Sequence, residues 1–466
     1  MIHIRLLAAC LLSTLPMAAQ IVKPDPMIQK IVDEISKDHV ADSLKHLTSF
    51  ETRGNFSDPT QQNRGIGAAR QWIYDQFRSY SPRLEVSFDA YKVKKQGTRI
   101  LRDFEAVNVV AVLPGTTQPE KRLIVSGHYD SLDVVRKAGV APPTGNGSDP
   151  GADDVIDFEK SIEAPAPGAT DDASGTALVL ELARVMSQYK FEKTIVFVTF
   201  AAEEMGLVGS TLYADKAKEH GDQIEAVFNN DIVGNDITGN GRMENGLVHI
   251  FSEDPDDSTS RELARYIREA AQIYVPSFKA ELVFRNDRFG RGGDHTPFNQ
   301  DGFTAVRFTT PAENLESQHT ANDTLDKTSP RYNADVARVN AAGLASLALA
   351  PSPPDTMREI TTGANKGRKT PNLGRGKSHY DAVLHWKDPK PAADLAGYAI
   401  VIRPTTAPYW EREIFVGKVT EYTLPDVSID DVVLGIRAVD TDGHESLVAP
   451  YVNPPAAPRK PIELQN

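Results

Sequence analysis

The stretch Thr194-Ile-Val-Phe-Val-Thr-Phe-Ala-Ala-Glu-Glu-Met-Gly-Leu207 decides the fold of this chain. Its run of β-branched and aromatic residues is typical of a strand covered on both faces, as in a parallel sheet. The run ends on two adjacent carboxylates, Glu203 and Glu204, at the position where ligands collect in open α/β sheets. One acid can hold a cation while its neighbour moves a proton, although such a pair also suits an ordinary helix start. The residues at the other strand ends must decide between these interpretations.

The composition describes an ordinary globular protein. The chain has 466 residues, of which 40% are hydrophobic and 25% are charged. This length predicts roughly two or three domains. Asp and Glu number 64 against 51 Lys and Arg, which gives a formal net charge of −13. An acidic balance argues against nucleic acid or an anionic membrane surface as the main partner.

The N-terminal residues 1–20 have the pattern of a secretory signal peptide, with Arg5 before an apolar run that ends in small residues. We therefore expect export to the periplasm or the extracellular space. The run Leu7-Ala-Ala-Cys10 also matches a lipoprotein box, but the apolar run before Cys10 is short, so lipid anchoring is the less favoured alternative. Cys10 is the only cysteine, and a chain cut after it has no disulfide and no thiolate ligand. No later stretch reaches the ~20 apolar residues of a membrane span.

Helical and strand patterns alternate up to about residue 350. This alternation predicts an α/β domain over residues 24–350, with a mostly parallel central sheet flanked by helices. Apolar runs predict its strands at 84–91, 107–113, 122–129, 247–251, 282–285 and 304–309. Two more are predicted from Thr194 up to the Glu203–Glu204 pair and over 226–235, where the apolar run breaks at Asp231. Between the predicted strands, the Gly/Pro/Asp-rich segment 133–168 is long enough to predict a functional loop above the sheet edge.

Polar residues mark the ends of two further predicted strands. His128 and Asp130 are two residues apart, so in an extended strand they point to the same side. An imidazole with a neighbouring carboxylate suits a metal ligand and the group that orients it. Asp231 interrupts the apolar strand that follows, and burying it there is costly unless its carboxylate has a partner.

Two loops add further candidates. Asp171 and Asp172 directly precede an apolar helix, where either can be a simple capping residue or can face away from the helix to bridge two cations. The loop before the last predicted helix carries His319. The Gly-rich segment 289–298 holds His295, which we interpret as part of a wall of the site rather than as a ligand.

Five residues are thus candidate metal ligands: His128, Asp171, Glu204, Asp231 and His319. All offer nitrogen or oxygen and none offers sulfur, which suits catalytic zinc, although manganese or cobalt could occupy the same site. Glu203 is left over as a proton carrier.

Five motifs occur in one order along the chain: Gly127-His-Tyr-Asp130, Gly168-Ala-Thr-Asp-Asp-Ala-Ser-Gly175, Ala202-Glu-Glu-Met-Gly206, Asn229-Asn-Asp-Ile-Val-Gly234 and Gln318-His-Thr320. Together they resemble the co-catalytic two-zinc aminopeptidase family, which includes bacterial leucyl aminopeptidases. The resemblance covers roughly residues 24–350. It implies two zinc ions per chain, with His128 and Asp231 on one ion, Glu204 and His319 on the other, and Asp171 between them.

The resemblance also implies roles for residues that hold no metal. Glu203 would be the general base, and Asp130 would orient His128. Some relatives have a tyrosine directly before the last histidine, where this chain has Gln318. Arg291 is therefore a candidate for contacting the substrate carbonyl instead.

The composition and the hydrophobic pattern of the sequence change near residue 351. Residues 351–378 predict a linker, residues 379–452 a small all-β sandwich, and residues 453–466 a Pro-rich tail. Segments Leu384-His-Trp386 and Gly435–Gly443 carry a resemblance to a fibronectin type III domain. The chain departs from that family at Val432, where a tyrosine is usual.

These expectations combine into an exported zinc exopeptidase, most simply an aminopeptidase acting on the N-termini of peptides or proteins. Glutaminyl cyclase-type acyl transfer and carboxypeptidase activity are alternatives on the same fold. A non-catalytic binding protein is a third alternative, but it predicts lost ligands, and all five candidate ligands are present. The preferred substrate residue and the oligomeric state are not encoded in a recognisable pattern.

Overall fold

An eight-stranded mixed sheet lies at the centre of the α/β part of the protein. Its strand order is β1-β2-β4-β3-β5-β8-β6-β7. The strands are β1 Glu85–Val93, β2 Phe104–Leu113, β3 Gln118–His128, β4 Lys193–Phe200, β5 Gln223–Asn230, β6 Leu247–Ser252, β7 Lys279–Val283 and β8 Ala305–Thr309. Strands β4, β3, β5 and β8 run parallel to one another, whereas β2, β6 and β7 run in the opposite direction. The edge strand β1 is antiparallel to β2 and so has the direction of the central four. The predicted α/β fold with a mostly parallel central sheet is confirmed.

The computed structural model describes residues 24–139, 152–162, 164–363 and 365–452. The predicted signal peptide, Cys10 and the predicted tail lie outside these residues, as does part of the predicted loop 133–168. Within the described part, no helix combines the length and the apolar character needed to cross a membrane.

Helices pack on both faces of the sheet. They are α1 Pro26–Asp33, α2 Lys37–Thr48, α3 Gly65–Tyr80, α4 Phe158–Ser161, α5 Ala173–Met186, α6 Val208–His220, α7 Thr259–Tyr274, α8 His295–Gln300 and α9 Pro330–Leu349. Every residue of β4 is buried. Ile195 and Phe197 contribute to the core under α5 and α9, while Val196 and Val198 contribute to a second core that includes residues of α6 and α8. The apolar run is therefore continuous because both of its faces are covered.

Some elements differ from the predictions. The strand predicted at 282–285 lies earlier, at Lys279–Val283, because it pairs in parallel with β6 rather than following its own most apolar residues. The segment 133–168 is not only loop, since it holds a short 3-10 turn at Ala152–Val155 and the helix α4.

The C-terminal part contains three small antiparallel sheets. Their strands are β9 Met357–Glu359, β10 Lys369–Pro371, β11 Leu373–Arg375, β12 Ala382–His385, β13 Leu395–Pro404, β14 Arg412–Gly417, β15 Glu421–Leu424, β16 Val432–Asp440 and β17 Ala449–Pro450. One sheet has the order β11-β12-β15 and another the order β14-β13-β16-β17. Strands β9 to β11 lie inside the segment predicted as a linker. Leu373 pairs with Leu384 there, so the three-stranded sheet begins before residue 378.

Polar contacts of buried side chains join the C-terminal sheets to α7 and the loop before it. Arg403, fully buried on β13, donates to Asp256 Oδ2 at 2.7 Å and also bonds Asp257. Trp410 Nε1 donates to Glu262 Oε2 at 2.9 Å. Such buried charges stabilise a particular arrangement because removing one partner leaves the other uncompensated.

His444 joins the C-terminal part to the start of α1. Its Nε2 lies 2.9 Å from Asp25 Oδ2, and its Nδ1 lies 2.7 Å from Asp440 Oδ2. Asp25 is also the N-cap of α1. Burial lowers the pKa of His444, but the hydrogen bonds to Asp440 and Asp25 outweigh burial and raise this pKa to about 9.

We predict a pH-dependent loss of stability in the variant His444→Gln. The folded-state pKa lies above the ordinary histidine pKa of about 6.5. The protonated ring therefore contributes its full stabilisation at pH values below about 6.5. This contribution disappears as the pH rises through about 9. The fall in melting temperature relative to wild type should therefore be larger at pH 6 than at pH 10, as measured by thermal denaturation. The control His39→Gln replaces an exposed histidine of α2 and should show no such difference. An equal loss for His444→Gln at both pH values would contradict the ion-pair explanation.

Candidate metal centre

The parallel strands bring the predicted site residues to one edge of the sheet. His128 is the last residue of β3, Glu203 and Glu204 follow β4, and Asp231 follows β5. Since these three strands are parallel neighbours, their carboxyl ends meet, as is usual for ligand sites in α/β sheets. The segment before α5 and the loop between β8 and α9 bring Asp171 and His319 to the same edge.

Six of these residues form two clusters that could each hold a metal ion. In each cluster, one potential ligand atom per residue lies within 4.8 Å of the others. The first cluster contains His128, Glu203 and Asp231, and the second contains Asp171, Glu204 and His319. The structure thus brings together all five predicted ligands and also the predicted base.

Asp171 lies between the two clusters. Its Oδ1 is 3.1 Å from His128 Nε2, and its Oδ2 is 2.9 Å from His319 Nε2. Gln318 Nε2 donates to the same Oδ2 at 2.7 Å. One carboxylate therefore presents an oxygen to each side, as a residue that bridges two cations must.

Two buried carboxylate oxygens in the clusters make no hydrogen bond to any described residue. They are Glu204 Oε1, which lies 3.2 Å from His319 Nε2, and Asp231 Oδ1, which lies 3.8 Å from His128 Nε2. A buried charged oxygen without a hydrogen bond is costly, and a bound cation shared with the neighbouring imidazole removes that cost. The imidazole and carboxylate donors present here suit a borderline divalent ion. The residues therefore fit a metal centre.

Asp130 holds the turn that carries the two glutamates. Its Oδ1 accepts from the Glu203 amide at 3.2 Å, and its Oδ2 accepts from the Glu204 amide at 3.2 Å and from Asn55 Nδ2 at 2.7 Å. His128 Nδ1 lies 3.5 Å from Asp130 Oδ1 and 3.2 Å from the Asp130 carbonyl. Asp130 is thus placed to orient His128, and it also fixes the Glu203–Glu204 backbone. The turn then passes through Gly206, whose φ of 100° suits glycine.

Asp172 acts as the helix cap, which resolves the two interpretations of the Asp-Asp pair. Its Oδ1 accepts from the Gly175 amide at 2.8 Å and from the Ile232 amide at 3.1 Å, and its Oδ2 accepts from the His128 amide at 3.2 Å. One carboxylate therefore ties the start of α5 to the ends of β3 and β5. Asp171 is left free of the helix and faces the clusters.

Two residues that shape the site were missed from the sequence. Asp323 Oδ1 accepts a hydrogen bond from the Thr170 amide at 3.0 Å, and Asp323 Oδ2 accepts one from the Asp171 amide at 3.0 Å. Asp323 thereby holds the loop that presents Asp171. Arg307 Nη2 lies 2.8 Å from Asp231 Oδ2. In the sequence, Arg307 is marked only as a basic residue in the middle of an otherwise apolar predicted strand. Asp323 is not marked at all, because it is an aspartate in a polar loop.

Two other candidates are outside the clusters. Arg291 Nη1 lies 2.7 Å from Glu313 Oε2, so its guanidinium is held by that acid. His295 is buried at the start of α8, with Nε2 2.8 Å from the Asn286 carbonyl. Both residues belong to the Gly-rich segment that borders the site.

The environment of Glu203 favours proton transfer. Burial raises the pKa of its carboxyl well above the ordinary value; His128 opposes this shift, while Asp231 and Glu204 add to it. A carboxylate whose pKa is raised binds an accepted proton more strongly than an ordinary one does. Glu203 thus combines a position in the first cluster, next to Glu204 of the second, with a raised affinity for a proton.

Comparison with known proteins identifies the family. Residues 108–344 match peptidase family M28. A probable zinc metalloprotease of Leptosphaeria maculans is 34% identical over 454 residues, which cover 91% of this chain and 96% of the relative. A probable zinc metalloprotease of Pyricularia oryzae is 34% identical over 459 residues, covering 91% of this chain and 84% of the relative. The chain belongs to peptidase family M28.

Solved structures share the fold at lower sequence identity. The LapA aminopeptidase of Legionella pneumophila superposes with a TM-score of 0.51 at 22% identity, covering 70% of this chain and 76% of LapA. LapB from the same organism gives 0.52 at 21% identity, with the same two coverages. These similarities support the α/β architecture described above.

We predict that Asp172→Ala destabilises the metal-free protein by about 2 kcal/mol or more, because a helix cap typically contributes about 1 kcal/mol and this cap also serves two strand ends. Urea unfolding in the presence of a chelator measures this difference. The matched control is Asp157→Ala, which removes the side-chain cap of the short peripheral helix α4. A loss no larger than that of the control would show that the bonds to β3 and β5 contribute nothing.

Proposed function

We propose that this chain is an exported two-zinc aminopeptidase that removes N-terminal residues from peptides. The observation that carries this proposal is the pair of clusters at one sheet edge, with Asp171 contacting a histidine of each and Glu203 within the first. The curated relatives named as probable zinc metalloproteases support zinc as the metal. The preference for N-termini rests on the motif resemblance to aminopeptidases, and export rests on residues 1–20.

The proposed ligand set divides the two clusters between two ions. His128 and Asp231 would hold one zinc ion, Glu204 and His319 would hold the other, and Asp171 would contribute one oxygen to each. Asp231 Oδ1 and Glu204 Oε1 support this division, because each is buried without a hydrogen bond and each belongs to a different cluster. Zinc in this place would polarise the scissile carbonyl and lower the pKa of a bound water.

The protein's own groups would then move the proton. Glu203 accepts a proton from the attacking water and passes it to the leaving amine, a role that its raised pKa supports. Asp130 keeps the Glu203 backbone in place through the amide bond described above. Arg291 is proposed to contact the substrate from the Gly-rich segment, with Glu313 holding its guanidinium.

We also propose that residues 24–350 form the peptidase domain and residues 379–452 a fibronectin type III-like domain. Sheets of three and four strands support the second assignment. Trp386 and Tyr398 pack edge to face in the core that these sheets share, with ring centroids 5.5 Å apart. The ion pairs of Arg403 with the loop before α7 and the hydrogen bond from Trp410 to Glu262 on α7 support a role as a docked part of the enzyme.

We predict that Glu203→Gln keeps the metal and loses turnover. Wild-type protein should contain about two zinc ions per chain and hydrolyse aminoacyl-p-nitroanilides. The variant should retain the same zinc content while kcat falls by about 10²- to 10⁴-fold, the usual contribution of a general base. Metal analysis and steady-state kinetics measure the two quantities. Glu219→Gln, an exposed position on α6, serves as the matched control and should change neither.

Other outcomes would point elsewhere. Wild-type protein that binds zinc but cleaves no aminoacyl substrate would contradict the aminopeptidase assignment and call for carboxypeptidase and glutaminyl cyclisation assays. Protein that binds no metal after reconstitution would contradict the ligand set itself. A Glu203→Gln variant with full turnover would remove Glu203 from the proposed mechanism.

A further inference from the structure

Arg307 is a fully buried cation next to the metal centre that the proposed mechanism does not use. It lies in the middle of β8, and its side chain is 0% exposed. Its Nη2 lies 2.8 Å from Asp231 Oδ2, and its Nη1 lies 3.1 Å from Asp287 Oδ2. One guanidinium therefore separates two buried carboxylates that would otherwise repel each other.

The two oxygens of Asp231 have different surroundings because of this contact. Oδ2 is engaged by Arg307, while Oδ1 has no hydrogen-bond partner in the described part of the chain and lies 3.8 Å from His128 Nε2. A carboxylate held in this way offers a single oxygen to its cluster. The planar guanidinium suits the task, since its donors are fixed in one plane and cannot rotate away independently.

The other side of the guanidinium holds the loop at residues 286–293. Nη1 donates to the Gly292 carbonyl at 2.6 Å as well as contacting Asp287. The next residue, Gly293, approaches so closely that a Cβ there would collide with Nη1. The same loop carries Arg291, so Arg307 connects a proposed ligand to a proposed substrate contact.

We propose that Arg307 is a positioning residue that holds Asp231 Oδ2, so that Oδ1 is left to the cluster that would bind zinc, and that fixes the loop 286–293 beside the metal centre. The inference rests on the proposed function for the identity of the metal. It goes further by assigning a zinc-affinity role to a residue outside the ligand set. Partners of this kind, which hold a ligand from behind, typically change metal affinity by about 10- to 100-fold when they are replaced.

The test is a calorimetric zinc titration of metal-free protein, which reads affinity without relying on activity. Arg307→Met should weaken binding of one of the two zinc ions by about 10- to 100-fold and leave the other unchanged. Arg307→Lys should show a smaller loss, since an ammonium keeps the charge and can bond Oδ2 but cannot also hold the loop in the same plane.

Two further variants separate positioning from general damage. Arg403→Met removes another fully buried arginine with two acidic partners, far along the chain in the C-terminal sheets. It should lower the melting temperature and leave both zinc affinities unchanged. Asp287→Asn removes only the loop side of Arg307, so it should raise KM severalfold while zinc affinity stays within about twofold of wild type.

Unchanged or tighter zinc binding in Arg307→Met would overturn the proposal, because the guanidinium would then act only as a cation that repels the metal. Equal weakening in Arg403→Met would overturn it as well, since any buried arginine would then have the same effect. Wild-type protein that binds zinc without cleaving peptides would contradict the proposed function alone, and the zinc titrations would still decide the role of Arg307. Wild-type protein that binds no zinc would overturn both.

Discussion

The structure depends on a concentration of buried carboxylates at one edge of a sheet. Five acids there are at most 5% exposed: Asp130, Asp171, Asp172, Glu204 and Asp231. Each buried charge costs several kcal/mol unless it is compensated. The residues around this edge supply the hydrogen-bond and ion-pair partners that offset the free-energy cost of burying these carboxylates.

The partners are of three kinds. Backbone amides donate to Asp130 and Asp172, so these two acids outside the clusters are compensated by the turn and strand ends they hold. Arg307 compensates one oxygen of Asp231. The remaining oxygens face imidazoles or nothing described, and they are the ones available to a cation. Folding and metal binding are therefore linked through the same few side chains.

Much of the fold was predictable because its signals are local. The apolar run of β4 predicts burial on both faces, and the acids directly after it predict a site at the carboxyl end of the sheet. The motif order then predicts which side chains meet, and the structure brings them together. The sequence did not predict which of Asp171 and Asp172 caps the helix and which faces the clusters. This depends on which carboxylate accepts from the amides of His128 and Ile232.

The remaining features depend on contacts between residues far apart in sequence. Asp323 holds Thr170 across more than a hundred residues, and Arg307 finds Asp231 only because β8 pairs beside β5. The sequence also does not show that β6 and β7 run opposite to β8, since an apolar strand does not encode the direction of its neighbour. Strand β11 was not predicted, because its three residues of mixed polarity are too few to show a strand pattern that differs from a linker.

The spacing of the proposed ligands has a consequence for the protein's biosynthesis. They are spread from His128 to His319 and come from five segments that only the finished sheet brings together. A chain emerging from the ribosome lacks the last histidine until β8 has been made, and an unfolded chain holds the others far apart. The metal centre of a hydrolase built in this way cannot assemble on a partly synthesised chain, so catalytic competence can arise only after the whole sheet has folded.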